Sequence, residues 1–174
     1  MPLVNDSLPI RKRCFDPVVD EHTRLLVLGS LPGDKSLALQ EYYGNRQNRF
    51  WSLIAEVIGV EMIGLSYQSR LEALLRHRIG LWDVVADAYR SGSLDSQIRD
   101  RQENDLVGLL ERFPQIDTLA FNGGTAARVG IKKLGEHASA YRIVHLPSSS
   151  PAYTLPFAEK LSQWHALTDT LLNT

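Results

Sequence analysis

The chain has 174 residues, of which 44% are hydrophobic and 22% are charged, a composition typical of a soluble globular protein. This length is typical of one domain and is sufficient to bury a substantial core, so we expect residues 1–174 to form a single domain. The formal net charge of -1 argues against a protein that coats nucleic acid non-specifically, because such a protein needs an excess of positive charge.

Cys14 is the only cysteine in the sequence. It has no partner for a disulfide within the chain, and a zinc or iron–sulfur site built on cysteine would need more thiolates. The histidines show no metal-ligand spacing, so we expect no metal site. No segment resembles a signal peptide or is long and apolar enough for a membrane span, which predicts a cytoplasmic protein with no membrane partner.

Short apolar runs alternate with amphipathic stretches after an irregular lead-in at residues 1–23. Strands are predicted at residues 24–28, 80–85, 118–124 (including a glycine turn) and 141–146, and helices at residues 50–58, 67–76, 106–113, 125–134 and 157–172. Gly59 is the predicted end of the first helix, and Ser66 is the predicted N-cap of the second. The alternation predicts an α/β fold with three α/β/α layers around a central, mainly parallel four-stranded sheet.

Three of the predicted strands end in loops rich in glycine, serine, proline or asparagine. These are the glycine turn (residues 29–33: Gly29, Ser30, Leu31, Pro32, Gly33), the turn that follows Asn122, and the serine loop (residues 147–152, with Pro147, Ser148, Ser149 and Ser150). Ligands of open α/β sheets bind outside the carboxyl ends of the strands, so we expect the loops to surround one crevice.

Each of these loops has a structural and a functional interpretation. The glycines could serve only a tight bend, and Asn122 could be a turn former. The serine loop could be plain surface, or its N–H groups and hydroxyls could bind a phosphate. The functional interpretation predicts a crevice that suits a flat heterocycle attached to an anion.

An aromatic, amide-rich segment connects the first strand to the first helix. Asn48 is either the cap of that helix or a catalytic amide that orients a water molecule, since its side chain offers both a donor and an acceptor. Tyr43 is either part of the core or a ring on which a flat base stacks. Trp51 is expected in the core.

The motifs resemble a known family when they are taken in order along the chain. They are Gly29-Ser30-Leu31-Pro32-Gly33, Tyr42-Tyr43, Asn48-Arg49-Phe50-Trp51, Gly80-Leu81-Trp82-Asp83-Val84, Gly92-Ser93-Leu94-Asp95, Phe121-Asn122-Gly123 and Leu146-Pro147-Ser148-Ser149-Ser150-Pro151-Ala152. This order resembles the uracil-DNA glycosylase superfamily, and most closely its hypoxanthine-DNA (deoxyinosine) glycosylase branch. The resemblance spans nearly the whole chain.

The resemblance implies a monofunctional DNA glycosylase that flips deoxyinosine out of DNA and hydrolyses the N-glycosidic bond without a cofactor. Its partner would be double- or single-stranded DNA containing a damaged base, bound by a monomer. Asn48 would position the water, and Tyr43 would stack on the base in a pocket lined by the glycine turn. Asp83 or Asn122 would contact the edge of the base, while Arg49 and the serine loop would bind DNA.

Two positions depart from the uracil-excising relatives. Those relatives carry Asp or Asn where this chain has Leu31, and His or Asn where it has Leu146. Leucine can neither orient water nor donate a hydrogen bond to a departing base, so the resemblance favours hypoxanthine over uracil. Asn48 would then be catalytic, with Asn45 as the alternative.

Other interpretations stay open at this point. A uracil or mismatched-thymine glycosylase is one, and a non-catalytic module that binds nucleotides or nucleic acid on the same scaffold is another. A serine hydrolase with Ser30 as nucleophile is disfavoured, because the chain lacks the Gly-x-Ser-x-Gly elbow. The wedge that fills the vacated base stack could be Tyr153 or Leu155.

Overall fold

The computed structural model of the protein describes residues 10–172. Of the lead-in predicted at residues 1–23, residues 1–9 lie outside the described residues. The strands are β1 (Lys12–Arg13), β2 (Leu25–Gly29), β3 (Ile79–Asp83), β4 (Val85–Arg90), β5 (Ile98–Glu103), β6 (Thr118–Asn122) and β7 (Arg142–Leu146). The helices are α1 (Asp34–Leu39), α2 (Phe50–Ile58), α3 (Tyr67–Arg76), α4 (Leu106–Arg112), α5 (Gly124–Leu134), α6 (Phe157–Trp164) and α7 (Ala166–Leu172). Among these helices, none has the length and apolar character needed to cross a membrane.

A four-stranded parallel sheet forms the centre of the fold, in the order β3–β2–β6–β7. Strands β2, β3 and β6 are buried along their whole length. Alternate side chains of β2 enter two different hydrophobic clusters, one containing residues of α2, α3 and α6 and the other containing residues of α4 and α5. Helices therefore cover both faces of the sheet, which confirms the predicted three-layer α/β/α fold.

A second sheet of three antiparallel strands, in the order β1–β4–β5, was not predicted. Its β1 lies within the lead-in, so the prediction that residues 1–23 are irregular is wrong at Lys12–Arg13. Strand β5 escaped prediction because its charged side chains are mostly exposed and show no alternation of apolar and polar positions. Strand β4 begins at Val85, immediately beyond the end of β3, so the chain passes directly from the parallel sheet into the antiparallel one.

The helices α2 and α3 have the predicted bounds. Gly59 ends α2 with a φ of 68°, and the Ser66 hydroxyl caps α3 by accepting the Ser69 N–H at 3.2 Å. The prediction of one continuous helix over residues 157–172 is wrong. The Thr168 N–H bonds to the His165 carbonyl three residues earlier, which interrupts the regular i to i-4 pattern between α6 and α7.

Aromatic side chains of the core lie directly beneath the segment that leads into α2. Phe50 is fully buried, and its ring contacts Trp51 and Trp164 edge-on. Trp51 is 4% exposed, which confirms its predicted place in the core. The Tyr43 ring stacks on Phe50 with 3.9 Å between ring centroids, so the core supports that ring from one side.

Candidate active site

The carboxyl ends of the parallel strands open into a cleft of about 590 Å³. This volume lies within the range of roughly 300–1,000 Å³ that is usual for small-molecule pockets. Its lining includes residues 29–33, Tyr43, Asn45, Asn48, Asp83, Asn122, Ser148, Ser149 and Ser150. The structure thus brings the glycine turn, the amide-rich segment and the serine loop around one crevice.

Two of the residues expected to bind DNA, Arg49 and Pro147, do not line the cleft. Arg49 is exposed, and its backbone N–H donates to the Ser149 carbonyl at 2.9 Å. The Pro147 carbonyl accepts the indole N–H of Trp164 at 2.9 Å. These two bonds attach the serine loop to the start of α2 and to the end of α6.

The loop between β4 and β5 forms a wall of the cleft that the sequence analysis did not assign. Ser93, Leu94 and Asp95 of this loop line the cleft, as do the cations Lys35 and Arg128. Arg128 stands in the first turns of α5, the helix that starts directly after β6. The loop had a sequence signal in the Gly92-Ser93-Leu94-Asp95 motif, and Arg128 had one in its place near the start of a helix at this edge of the sheet.

Gly29 leaves room for the side chains of Asp83 and Tyr43 on the cleft floor. It pairs with Asp83 across β2 and β3, and a Cβ atom at this position would lie 2.6 Å from Asp83 Oδ1 and 3.1 Å from the Tyr43 hydroxyl. Real Cβ atoms essentially never approach a heavy atom to less than 3.0 Å. The glycine is therefore needed for space, beyond the bend that the sequence suggested.

Asp83 places a buried carboxyl group at the end of β3. The residue is 4% exposed, and its Oδ2 has no hydrogen-bond partner among residues 10–172. Burial raises the pKa of Asp83 to about 7; the negative charge of Asp95 acts in the same direction and the positive charge of Arg90 acts against it. Near neutral pH the carboxyl is consequently present in both protonated and ionised forms, a property typical of functional groups in clefts.

Arg90 fixes the shape of the glycine turn. Its guanidinium, with a side-chain exposure of 1%, donates to the Leu31 carbonyl at 3.3 Å and also to the Pro32 carbonyl. It donates further to the Gly92 carbonyl at 3.1 Å, and one nitrogen lies 3.7 Å from Asp95 Oδ1. Burial lowers the pKa of Arg90 below its ordinary value. Arg90 thereby ties the glycine turn to the β4–β5 loop.

One amide group connects three of the segments around the cleft. Asn122 Nδ2 donates to the Tyr43 hydroxyl at 3.2 Å and to Ser149 Oγ at 2.9 Å. Asn122 Oδ1 accepts the Ser149 backbone N–H at 2.9 Å. Both amide hydrogens are thus used within the protein, and only one lone pair of Oδ1 is left for a ligand.

Asn48 combines the two interpretations that the sequence left open. Its Oδ1 accepts the Phe50 N–H at 2.9 Å, which stabilises the start of α2, while the residue also lines the cleft. The N-cap position itself is Arg49, so this bond closes a turn just before the helix. No hydrogen bond joins Asn48 Nδ2 to another of the described residues.

The serine loop is also held by one of its own side chains and by one buried cation. Ser148 Oγ accepts the Ser150 N–H at 3.1 Å, and Lys160 Nζ donates to the Ser150 carbonyl at 3.1 Å. Lys160 is 2% exposed and forms no ion pair with a carboxylate of residues 10–172. Its Nζ lies 5.5 Å from the ring centroid of Tyr153.

The two candidate wedge residues occupy different surroundings. Tyr153 lines the cleft and is 48% exposed. Leu155 is partly buried and does not belong to the lining. A side chain that enters a DNA helix has to be exposed beside the pocket, and of the two only Tyr153 is so placed.

The chemistry available in the cleft follows from these groups. An aromatic ring, an amide with free hydrogens and a protonatable carboxyl can together hold a flat heterocycle, orient water and transfer a proton. Within residues 10–172, no group of three or more His, Cys, Asp or Glu side chains could hold a metal ion.

Comparisons with known proteins identify the family of this chain. Residues 17–169 match the sequence profile of the family described as "Uracil DNA glycosylase superfamily". A protein of Methanosarcina acetivorans named "Hypoxanthine DNA glycosylase" is 40% identical over 161 residues, which cover 90% of this chain and 97% of that relative. Its namesake in Methanosarcina barkeri is 39% identical over 160 residues, which cover 89% of this chain and 96% of the relative.

A solved structure shares the fold as well. It is an NMR structure in solution of a Methanosarcina acetivorans protein provisionally assigned as a uracil DNA glycosylase, and it superposes with a TM-score of 0.82 at 40% identity. The match covers 93% of this chain and 99% of that one. On the profile, the relatives and the shared fold, this chain belongs to the uracil DNA glycosylase superfamily.

Proposed function

We propose that the protein is a monofunctional DNA glycosylase that turns a deoxyinosine nucleotide out of DNA and hydrolyses the bond between hypoxanthine and deoxyribose. The observation that carries the proposal is the convergence of Asn48, Tyr43 and Asp83 in one cleft at the carboxyl ends of the strands. The two relatives named hypoxanthine DNA glycosylase support the choice of substrate. The reaction exchanges the C1′–N9 bond for a C1′–O bond and leaves an abasic site.

Tyr43 provides the stacking surface for the extruded base in this proposal. Phe50 supports its ring from one side, and Asn122 holds its hydroxyl. A ring fixed before the ligand arrives loses little conformational entropy on binding. Base–aromatic stacking contributes about 1–3 kcal/mol per base, which favours the extruded nucleotide over the stacked one.

Asn48 directs the attacking water. The bond from the Phe50 N–H fixes the orientation of its amide, and a second lone pair of Oδ1 can accept a hydrogen of the water. The water oxygen is then aimed at C1′ as positive charge develops on the sugar. A transition state of oxocarbenium character needs a well-placed nucleophile rather than a strong base, and an amide suffices for that.

Two buried leucines support hypoxanthine over uracil. Leu31 is 5% exposed and Leu146 is 4% exposed, so neither position offers a polar group where uracil-excising relatives carry one. A uracil or mismatched-thymine glycosylase is therefore the weaker candidate. Faster release of base from deoxyuridine or G·T duplexes than from deoxyinosine would reverse this order.

The proposal extends to domain organisation, location and DNA binding. Residues 1–174 form one glycosylase domain that acts as a monomer in the cytoplasm on double- or single-stranded DNA. Hydroxyls of Ser148 and Ser150, with Arg49 nearby, bind phosphates, and Tyr153 fills the gap left by the extruded base. Because the charge of Arg49 contributes to phosphate binding, binding should weaken as salt rises.

The test is base release from a duplex oligonucleotide that carries one deoxyinosine. We expect the wild type to release hypoxanthine, and Asn48→Ala to reduce the single-turnover rate constant by about 100-fold or more. Asn48→Ser is the matched control for folding, since its hydroxyl can still accept the Phe50 N–H, but its shorter side chain no longer holds an oxygen where the amide oxygen directs the water.

Three outcomes would contradict parts of this proposal. A wild type that binds the deoxyinosine duplex and releases no base indicates a non-catalytic module. Equal rate constants for Asn48→Ser and the wild type remove Asn48 from the mechanism. A loss seen with Asn45→Ala in place of Asn48→Ala assigns the water to Asn45, which also lines the cleft.

A further inference from the structure

The buried Asp83 carboxyl takes part in no step of the mechanism described so far. Its Oδ2 is enclosed and finds no hydrogen-bond partner in residues 10–172, while the residue lines the cleft. A buried polar atom without a partner lowers stability, so native proteins rarely keep one without a reason. A ligand group in the cleft would supply the missing partner.

The groups that face Asp83 favour its protonated form. Asp95 of the β4–β5 loop adds negative charge, and Arg90 at the end of β4 opposes it with a positive charge already shared among three carbonyls. The remaining titratable neighbours are Cys14, Tyr42 and Tyr43. Burial raises the pKa of each of them, so they carry no charge near neutral pH. Asp83 is the group among these that can give up a proton in the physiological range.

Hypoxanthine presents an edge that suits a proton donor. Like guanine, it shows two acceptors, O6 and N7, in the major groove of DNA, whereas adenine shows a donor beside N7. A carboxylate would repel two acceptors, but a carboxylic acid can donate to them. Protonation at N7 also withdraws electrons from N9, which makes the neutral purine a better leaving group.

We infer that Asp83 is the general acid of the reaction, an inference that rests on the proposed function. Its O–H proton passes to N7 of the extruded hypoxanthine while the C1′–N9 bond breaks and its electron pair stays with the base. The water held by Asn48 forms the new C1′–O bond and releases one proton, which restores the Asp83 carboxylic acid through solvent. The products are neutral hypoxanthine and an abasic site, so atoms and charge balance.

Other donors around the cleft are less suited to the task. The Tyr43 hydroxyl already accepts from Asn122, and burial raises its pKa further, which makes it a weaker acid. Lys35 is exposed on α1 and Arg128 is exposed on α5. Asp95 accepts the Ser30 hydroxyl at 2.6 Å and is exposed.

The experiment measures single-turnover rate constants on a deoxyinosine duplex from pH 5.5 to 9. For the wild type we expect a plateau at low pH and a fall of about tenfold per pH unit above the pKa of Asp83. Asp83→Asn should be slower by about 100- to 10,000-fold on the plateau and should lose the alkaline fall. Asp95→Asn removes a negative charge beside Asp83, lowers its pKa, and should move the fall to lower pH.

A second substrate tests the acceptor atom without any change to the protein. A duplex carrying 7-deaza-2′-deoxyinosine has C–H in place of N7, and we expect the wild type to bind it somewhat more weakly, because the Asp83 O–H loses its acceptor, and to release no base. Asp87→Asn is the matched control for the Asp83→Asn and Asp95→Asn variants, since Asp87 lies on β4, pairs with Arg11 and is absent from the cleft lining. It should keep the wild-type pH profile.

The outcomes separate this inference from the proposed function. A wild type that releases no hypoxanthine at any pH refutes the function itself. An active wild type overturns the inference if it has no alkaline fall, if Asp83→Asn matches it, or if 7-deazahypoxanthine is released as fast as hypoxanthine. If Asp83→Asn does not fold, the pH profile of Asp95→Asn and base release from the 7-deaza duplex still test whether Asp83 is the general acid.

Discussion

Asp83→Asn should make the fold more resistant to alkaline pH, although it removes the proposed acid. Burial raises the pKa of Asp83 from 3.8 to about 7 in the folded protein, whereas the unfolded chain keeps the ordinary value. Between these two values the folded state binds more protons than the unfolded state, so the free energy of unfolding falls as pH rises through this window. At 1.36 kcal/mol per pKa unit, the roughly 3 units amount to about 4 kcal/mol lost once the pH exceeds 7.

The assay is urea unfolding followed by tryptophan fluorescence at pH 5 and at pH 8. Asparagine has nearly the same shape as aspartate and does not ionise, so the advantage of the variant over the wild type should grow by about 3 kcal/mol between the two pH values. Comparing both proteins at each pH removes the contribution of every other titrating group. An advantage of the same size at both pH values would refute the reasoning that this carboxyl resists ionisation in the folded state.

Two further changes address the walls of the cleft. Gly29→Ala should abolish base release and cost about 1–3 kcal/mol of stability, because the added Cβ collides with Asp83 Oδ1. DNA binding through the serine loop should persist in a mobility-shift assay, and full base release by this variant would contradict the assigned cleft floor. Tyr153→Ala should weaken binding to a deoxyinosine duplex by about 10- to 100-fold through lost stacking. Leu155→Ala should weaken it less than Tyr153→Ala, and the reverse order in fluorescence titrations would make Leu155 the wedge.

The sequence was most informative where structure depends on neighbouring residues. Helices α2 and α3 have their predicted bounds because their periodicity, the Ser66 cap and Gly59 act within a few residues. The crevice was predictable for a related reason, since the carboxyl ends of parallel strands meet at one edge of the sheet. Asp83 was expected at that edge as a base-contacting residue.

Features that depend on distant partners were not predictable. Nothing in the sequence distinguishes Arg90 from an ordinary surface cation, yet its guanidinium is buried against carbonyl groups 58 and 59 residues earlier in the chain. The raised pKa of Asp83 has the same origin, because burial by several segments sets it rather than adjacent residues. Strand β5 was missed because a mostly exposed strand carries no hydrophobic signal.

The hydrogen bonds of Asn122 have a mechanical consequence. Its side chain spans the gap between the segment that would hold the DNA backbone and the phenol that would receive the base. A phosphate bound at Ser148 or Ser150 therefore acts on Tyr43 through Ser149 and one rigid planar group. We expect binding of the DNA backbone and stacking of the base on Tyr43 to occur together. A weakly bound backbone should then also leave the base weakly bound.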